Sequence, residues 1–567
     1  MHAGPVPGET CQIIMKWYWF LLPCLVMGQA TAQQAKKTTA LHYVFVPEPA
    51  KGELAATLSF TGNKDGLTTV QLPNAWGGLT ALYRNLGNIY VTGADSIARN
   101  PSDSSLLLIY HPPAVPLTVQ YVLRNNVPDS LPAQGQAYMP LIKPQYLHLI
   151  GYTLMAYPDG YTHFNGTIEW RSIPENWRFT SSMSPYRMQH FKNVASGELP
   201  NSLWIAGDYR LYAFSVRKKP VQVALRGQWP FADSTIVNLL QQTIPVQRRF
   251  WKDFAIDRFT VSLIPLLTPD VYSSSLKGTA LHHCFASFAT NNAHTSLELM
   301  QYIYNHELMH HWIGGIIKNE SPEELYYWFS EGFTDYFTWQ NMLQGGLITR
   351  EQYERNIDSV LALHYSNQLN ASPNALIKTK FWEDPLFQKL PYHRGFLFAW
   401  YLDGCLQQQT RGRHTLKAVM VRLLRQAKKG ARFSEKLLLD AVQPYLVDDV
   451  TPAYREYIEA GKFIPLEAWQ QNTPYPLALR EVPVFSIGFT TDKGGLDVNA
   501  KVTAVTEGSN AALAGLRPGD IIKGYSFAYN PHQEASLVIL RNNQRIDLKY
   551  YPAHKMMLPQ LNGRLHQ

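Results

Sequence analysis

The sequence predicts a multidomain α+β protein, with an all-β N-terminal domain, a mainly α-helical central domain and a small β-rich C-terminal domain. Three observations predict it. The chain has 567 residues, which at ~150 residues per domain is material for three to four domains. Hydrophobic residues make up 46% and charged residues only 17%, enough apolar material for more than one core and too little charge for a disordered chain. The hydrophobic period changes twice: alternation to about residue 216, a helical period from 218 to about 465, and alternation again from about 483.

The first 32 residues read as an export signal. Met15-Lys16 gives a positive start, Trp17 to Gly28 is apolar apart from Pro23, and Ala30-Thr31-Ala32 is a small-x-small cleavage pattern. The expected location is therefore periplasmic or extracellular. Pro23 stands where a lipid anchor on Cys24 would need a small residue, and no further run of about 18 apolar residues follows. No membrane anchor is expected. Cys11 and Cys24 fall in the signal; Cys284 and Cys405 remain, either paired or as two buried thiols. The formal charge of +8 is spread without a basic stripe, which argues against a nucleic-acid partner.

Residues 33–217 form the β domain. Short runs such as His42–Val46, Leu106–Tyr110, Leu117–Tyr121 and Tyr212–Val216 are separated by Gly, Pro, Asn and Asp clusters. Residues 218–470 form the helical domain, opening with a helix at Asp233 and a strand at Phe259–Leu266. Residues 471–567 comprise a Pro-containing linker, to about Val482, and the final β unit.

The chemistry sits at Asn305-His306-Glu307-Leu308-Met309-His310-His311. On a helix, residues i and i+4 share a face, so His306 and His310 present two imidazoles to one Zn²⁺. Glu307 is rotated by about 100° and is placed to act as general base on a water at the metal. A catalytic zinc needs a third protein ligand and one open position. Glu331, in Trp328-Phe329-Ser330-Glu331-Gly332-Phe333-Thr334-Asp335-Tyr336, supplies that ligand, and Asp335 one turn later is placed to orient a ligand imidazole. The helix carrying Glu331 starts either at Ser321 or nearer Ser330. The expected cofactor is one zinc ion per chain.

These motifs resemble the gluzincin metallopeptidases, the superfamily of thermolysin and the zinc aminopeptidases, and more narrowly the glycyl aminopeptidase family. The resemblance implies a β N-terminal domain, a thermolysin-like catalytic domain and a C-terminal PDZ domain. It implies hydrolysis of peptide bonds in a peptide or protein substrate by a metal-activated water. Leu390-Pro391-Tyr392-His393-Arg394-Gly395 resembles the Pro-Tyr-x-Lys-Gly segment of these enzymes, which assigns Tyr392 to the oxyanion and makes Arg394, where Lys is commoner, a candidate substrate-binding residue. From the residues alone Tyr392 also reads as a core aromatic. In Gly278-Thr279-Ala280-Leu281-His282-His283, His282 is read at the position of the Glu that holds the substrate's ammonium in Gly-x-Met-Glu-Asn segments. The strand itself can still pair with an extended peptide. Aminopeptidase and endopeptidase action both remain open, as does a weakly active zinc protein that works by binding.

Phe485-Ser486-Ile487-Gly488-Phe489 and Ser509–Ile522 resemble the carboxylate loop and the helix-turn-strand segment of PDZ domains, which implies a partner peptide C-terminus. Only 14 residues lie between Ile522 and the strand at Leu537. The groove helix is therefore expected to be short or missing, and a docking module without peptide capture is the alternative.

Overall fold

The computed structural model describes residues 37–565 apart from 78, 125–137, 267–275, 293–294, 382 and 528–529. The export signal, Cys11 and Cys24 lie outside the described residues. The backbone divides into two compact units: residues 15–249 with 253–311, and residues 250–252 with 312–567.

The first unit opens with β sheets. Thr38–Glu48 runs antiparallel to Glu53–Thr61 and parallel to His163–Trp170, at the centre of a six-stranded sheet. Its alternation works as the pattern requires: Leu41, Tyr43 and Phe45 are buried while His42 is exposed. Two four-stranded sheets accompany it, and together they enclose a core that includes Leu58, Val119, Tyr121, Phe164, Trp170 and Trp204. The hydroxyls of Tyr43 and Tyr121 enter that core only because they donate to the carbonyls of Ala156 (2.7 Å) and Leu154 (2.8 Å).

A five-stranded sheet follows, built from β1 (Arg210–Val216), β2 (Lys219–Leu225), β3 (Phe259–Pro265), β4 (Leu276–Leu281) and β5 (Cys284–Ala289). Its order is β1-β2-β3-β5-β4, with β2, β3 and β5 parallel. Parallel pairing needs a crossover, which helix α1 (Asp233–Trp251) supplies between β2 and β3. This corrects the expected domain boundary at residue 217. Strand β1 hydrogen-bonds to β2 along its whole length, so the strand at Tyr212–Val216 belongs to the sheet that carries the site. Helix α2 (Leu297–Met309) follows β5, its first turn capped by Ser296, whose side chain accepts from Leu299 N–H at 3.1 Å.

The second unit is helical. A π-helical turn at Trp328–Phe333 runs into α3 (Thr334–Gln344), followed by α4 (Arg350–Ser366) and the long α5 (Pro385–Thr410). The helix around Glu331 begins at Trp328, nearer Ser330 than Ser321, and a separate 3₁₀ turn at Glu323–Tyr326 precedes it. The expected linker at 471–482 is packed structure instead. Tyr475 stacks on Trp400 of α5 at 4.4 Å, and Trp469 lies 4.8 Å from the same ring. Aromatic burial of this size holds a segment that its prolines alone would mark as a loop.

Leu477–Phe485 then pairs with Ala553–Leu561 in a two-stranded ribbon. The ribbon is tied to α4: Asp358 accepts from Leu561 N–H at 2.7 Å and Glu354 from Leu565 N–H at 3.0 Å. Between the ribbon's strands lies the small β module with its own core of Phe489, Val502, Leu516, Ile522, Leu537 and Ile539. Its helix is a single turn, Asn510–Leu513. Between Ser526 and Ala535 the described residues form turns and no helix, as the short spacing predicts.

Candidate metal centre and active site

Helix α2 is unusual in that every residue from Ile303 to Met309 is buried. Such a helix belongs inside a protein and must have its polar groups satisfied. Asn305, beside the first histidine, shows how. Its side-chain amide donates to Thr243 Oγ1 (3.1 Å) and to the Gln301 carbonyl (2.8 Å), and Gln247 donates to its main-chain carbonyl (2.6 Å). Thr243 and Gln247 lie on α1, so α1 fixes the rotation of α2. On the sheet side Tyr304 Oη lies 3.0 Å from Ser287 Oγ of β5.

That rotation sets the histidines. His306 and His310 are buried, and their Nε2 atoms converge to 3.0 Å. Glu331 is fully buried, and ligand atoms of His306, His310 and Glu331 all lie within 4.8 Å of one another. Bonds of ~2.1 Å in a tetrahedral shell place ligand atoms roughly 3.4 Å apart, so two imidazoles and one carboxylate at this spacing fit a zinc ion with a fourth position left over. This is the one such group among the described residues; His282 and His283 are not part of it. Glu307 is buried beside His306. Glu331 sits in the π-helical turn, a distortion often found where a helix must aim a functional side chain.

The second unit positions Glu331 against α5 by backbone contact. A Cβ added to Gly332 would meet Gly395 Cα at 2.4 Å, and one on Gly395 would meet the Trp328 carbonyl oxygen at 1.8 Å. Only glycine at both positions allows the approach. Tyr392 lies one turn earlier on α5, buried among Tyr327, Ile377, Phe381 and Leu390. Asp335 acts electrostatically on Lys389 and His393, both half-buried on α5.

Two expectations need correction. Arg394 is not exposed to a substrate: it is buried and donates to the carbonyls of Asn370 (2.8 Å), Ser372 (2.8 Å) and Ile458 (3.4 Å). Its guanidinium donors serve the fold. His282 does not stand at the Glu position. Counting from Gly278, the Glu of a Gly-x-Met-Glu-Asn segment falls on Leu281, the last residue of β4. Leu281 is buried in an apolar cluster with Tyr138, Cys284 and Phe288, so no carboxylate stands there. His282 and His283 form the turn between β4 and β5, with His283 at φ 55°. The two rings stack at 3.8 Å, and His282 Nε2 lies 3.7 Å from Glu198. Both thiols, Cys284 and Cys405, are buried and free.

Sequence reading passed over several residues near these groups. Lys389 is half-buried one turn before Tyr392, its ammonium 5.7 Å from that ring; desolvation pulls its pKa down to about 7 against the opposing charge of Asp335. Glu323 is pushed up to about 7 by burial and by Glu324 and Glu331. Tyr138 has its pKa raised by burial and by the charge of Glu307. None lies in a motif, and a charged residue at helical spacing reads as surface until packing is known.

Residues 278–455 match the model of the Peptidase family M1 domain, a span that starts at Gly278 and includes every metal-ligating candidate. No curated protein matches in sequence. Among solved structures, an aminopeptidase N family protein from Idiomarina loihiensis is similar with a TM-score of 0.68 at 16% identity, covering 91% of this chain and 98% of that one. An M1 zinc metallopeptidase from Deinococcus radiodurans aligns with a TM-score of 0.47 at 14% identity, over 76% of this chain and 95% of that one. The His306, His310 and Glu331 cluster lies inside the segment that matches the M1 peptidase domain.

Proposed function

We propose that this protein is an exported zinc peptidase that removes or cuts at the ends of peptides, with Glu307 as general base and Tyr392 as oxyanion donor. The observation that carries the reading is the buried convergence of His306, His310 and Glu331 directly beside Glu307. Zinc bound there supplies Lewis acidity, which lowers the pKa of a water and polarises the scissile carbonyl. Glu307 takes the proton of the attacking water and returns it to the leaving amine. Tyr392 donates its hydroxyl hydrogen to the oxygen that gains charge. Asp335 and Lys389 set the electrostatics around the Tyr392 turn.

The narrower kinship with glycyl aminopeptidases rests on Trp328–Tyr336 and on the terminal module, and export rests on Met15–Ala32. With no groove helix among the described residues between Ser526 and Ala535, the terminal module fits a docking role better than peptide capture. Leu281 bears on specificity: without a carboxylate there, the substrate's ammonium loses a charged hydrogen bond of ~1.5–3 kcal/mol. Peptides with blocked N-termini are then tolerated.

The test combines metal analysis with turnover. The purified protein binds one zinc ion, and Glu307→Gln retains it while hydrolysis of a peptide library collapses. Tyr392→Phe lowers kcat more than it raises KM, since its hydrogen bond forms mainly in the transition state. Absence of zinc in protein never exposed to chelator, or full turnover by Glu307→Gln, overturns the reading.

A further inference from the structure

Strand β4 is the edge of the five-stranded sheet among the described residues, and residues from the N-terminal β part of the same unit tie it at Gly278, its third residue, and at His282, just past its last. At the first tie the Tyr138 hydroxyl donates to the Gly278 carbonyl at 3.3 Å. The Tyr138 ring is itself locked. It is buried against Phe288, 5.9 Å away edge-on, and it fills the space over Gly77, where a Cβ would meet the ring at 2.8 Å. The charge of Glu307 acts on this same hydroxyl. At the second tie His282 N–H donates to the Asn201 carbonyl (3.1 Å) and lies 3.3 Å from Asn201 Oδ1. Glu198, on the same loop, faces the His282 ring at 3.7 Å.

A peptide that adds to a sheet edge does so through backbone groups, one ladder bond every second residue. An edge held at Gly278 and at His282 leaves Thr279, Ala280 and Leu281 between the two ties. A long chain, which needs several consecutive ladder bonds on both sides of the scissile bond, has no continuous edge to lie on. We propose that Tyr138 and the Glu198–Asn201 loop bracket β4 and restrict the enzyme to short peptides, so that end-selectivity comes from closing the strand rather than from a carboxylate that binds the terminal amine. The proposal rests on the peptidase reading and names its substrate class. It also gives the N-terminal β part a role in selectivity, with Tyr138 as a positioning residue that acts through the strand.

The experiment measures binding as well as turnover. Zinc-loaded Glu307→Gln is titrated with one fluorescent peptide series of three, five, ten and twenty residues, and the wild type is assayed on the same series. The expected result is affinity and kcat/KM at least tenfold higher for the three-residue peptide than for the twenty-residue one, with or without N-terminal acetylation. Adding Tyr138→Phe, which removes only the hydroxyl, reduces that length ratio at least threefold, chiefly through KM. Glu198→Ala with Asn201→Ala does the same from the other end. Equal binding of short and long peptides, or a length ratio unmoved in both bracket variants, overturns the proposal. If the wild type hydrolyses nothing, the peptidase reading falls, and the binding series still decides the bracket.

Discussion

Arg394 shows how a single buried cation can be mistaken for a functional one. It follows two residues after Tyr392 in a segment that resembles a catalytic motif, and burial lowers its pKa to about 10. Its donors nevertheless end on three main-chain carbonyls. Substituting it leaves those carbonyls without their donors in the interior, at a cost of about 2–4 kcal/mol. Arg394→Met is therefore expected to lower denaturant stability by that amount while zinc content and KM stay near wild type. A raised KM with unchanged stability would restore the substrate-binding role. His306 and His310 make the contrasting case: their Nε2 atoms face one another at 3.0 Å, and with the buried Glu331 carboxylate they complete a donor set that suits a shared cation.

At the scale of elements, the decisive contact is glycine on glycine. The turn that carries Glu331 and the helix that carries Tyr392 meet where neither Gly332 nor Gly395 has a side chain. A single methyl at Gly395 would lie 1.8 Å from the Trp328 oxygen, so the two elements must separate. Overpacking of this kind costs about 1–3 kcal/mol, occasionally more, and it shifts a metal ligand as well. Gly395→Ala is expected to lower the melting temperature and weaken zinc retention in a chelator competition, whereas Gly412→Ala, in open space after α5 at φ 74°, affects stability alone. Retention of zinc at wild-type affinity in Gly395→Ala would show that the helices absorb the methyl elsewhere.

For the whole molecule, buried neutral histidines set the response to acid. His148 is held in the core, 3.0 Å from Ser262 Oγ, and burial lowers its pKa to about 3; His393 is lowered to about 4 by burial and by Lys389. The unfolded chain binds these protons near the ordinary value of 6.5, so below it the unfolded state holds more protons than the native one. Stability from each is complete above about pH 6.5, falls on acidification, and levels off once the folded pKa is passed. The slope is on the order of 1.4 kcal/mol per pH unit for each histidine. Denaturant unfolding between pH 7 and 4 should show it, and His148→Gln should flatten it by one histidine's share. An unchanged slope would mean that His148 is protonated in the native state.

What the sequence determined by itself was whatever depends on near neighbours along the chain. Two imidazoles four residues apart share a helix face by geometry alone. The alternation of Leu41, Tyr43 and Phe45 marks a strand for the same local reason, and fourteen residues after Ile522 are too few for a strand and a helix. The tertiary structure decided the rest, because those properties belong to groups far apart in sequence. It assigned β1 to the sheet beyond residue 217, packed Tyr475 onto Trp400, turned Arg394 inward to three carbonyls, and placed Leu281 rather than His282 at the end of the edge strand. It also brought Tyr138 to Gly278, 140 residues away. Periodicity reports which face of an element is apolar, but the partner of that face is set by packing, where burial and hydrogen-bond satisfaction act together across the chain.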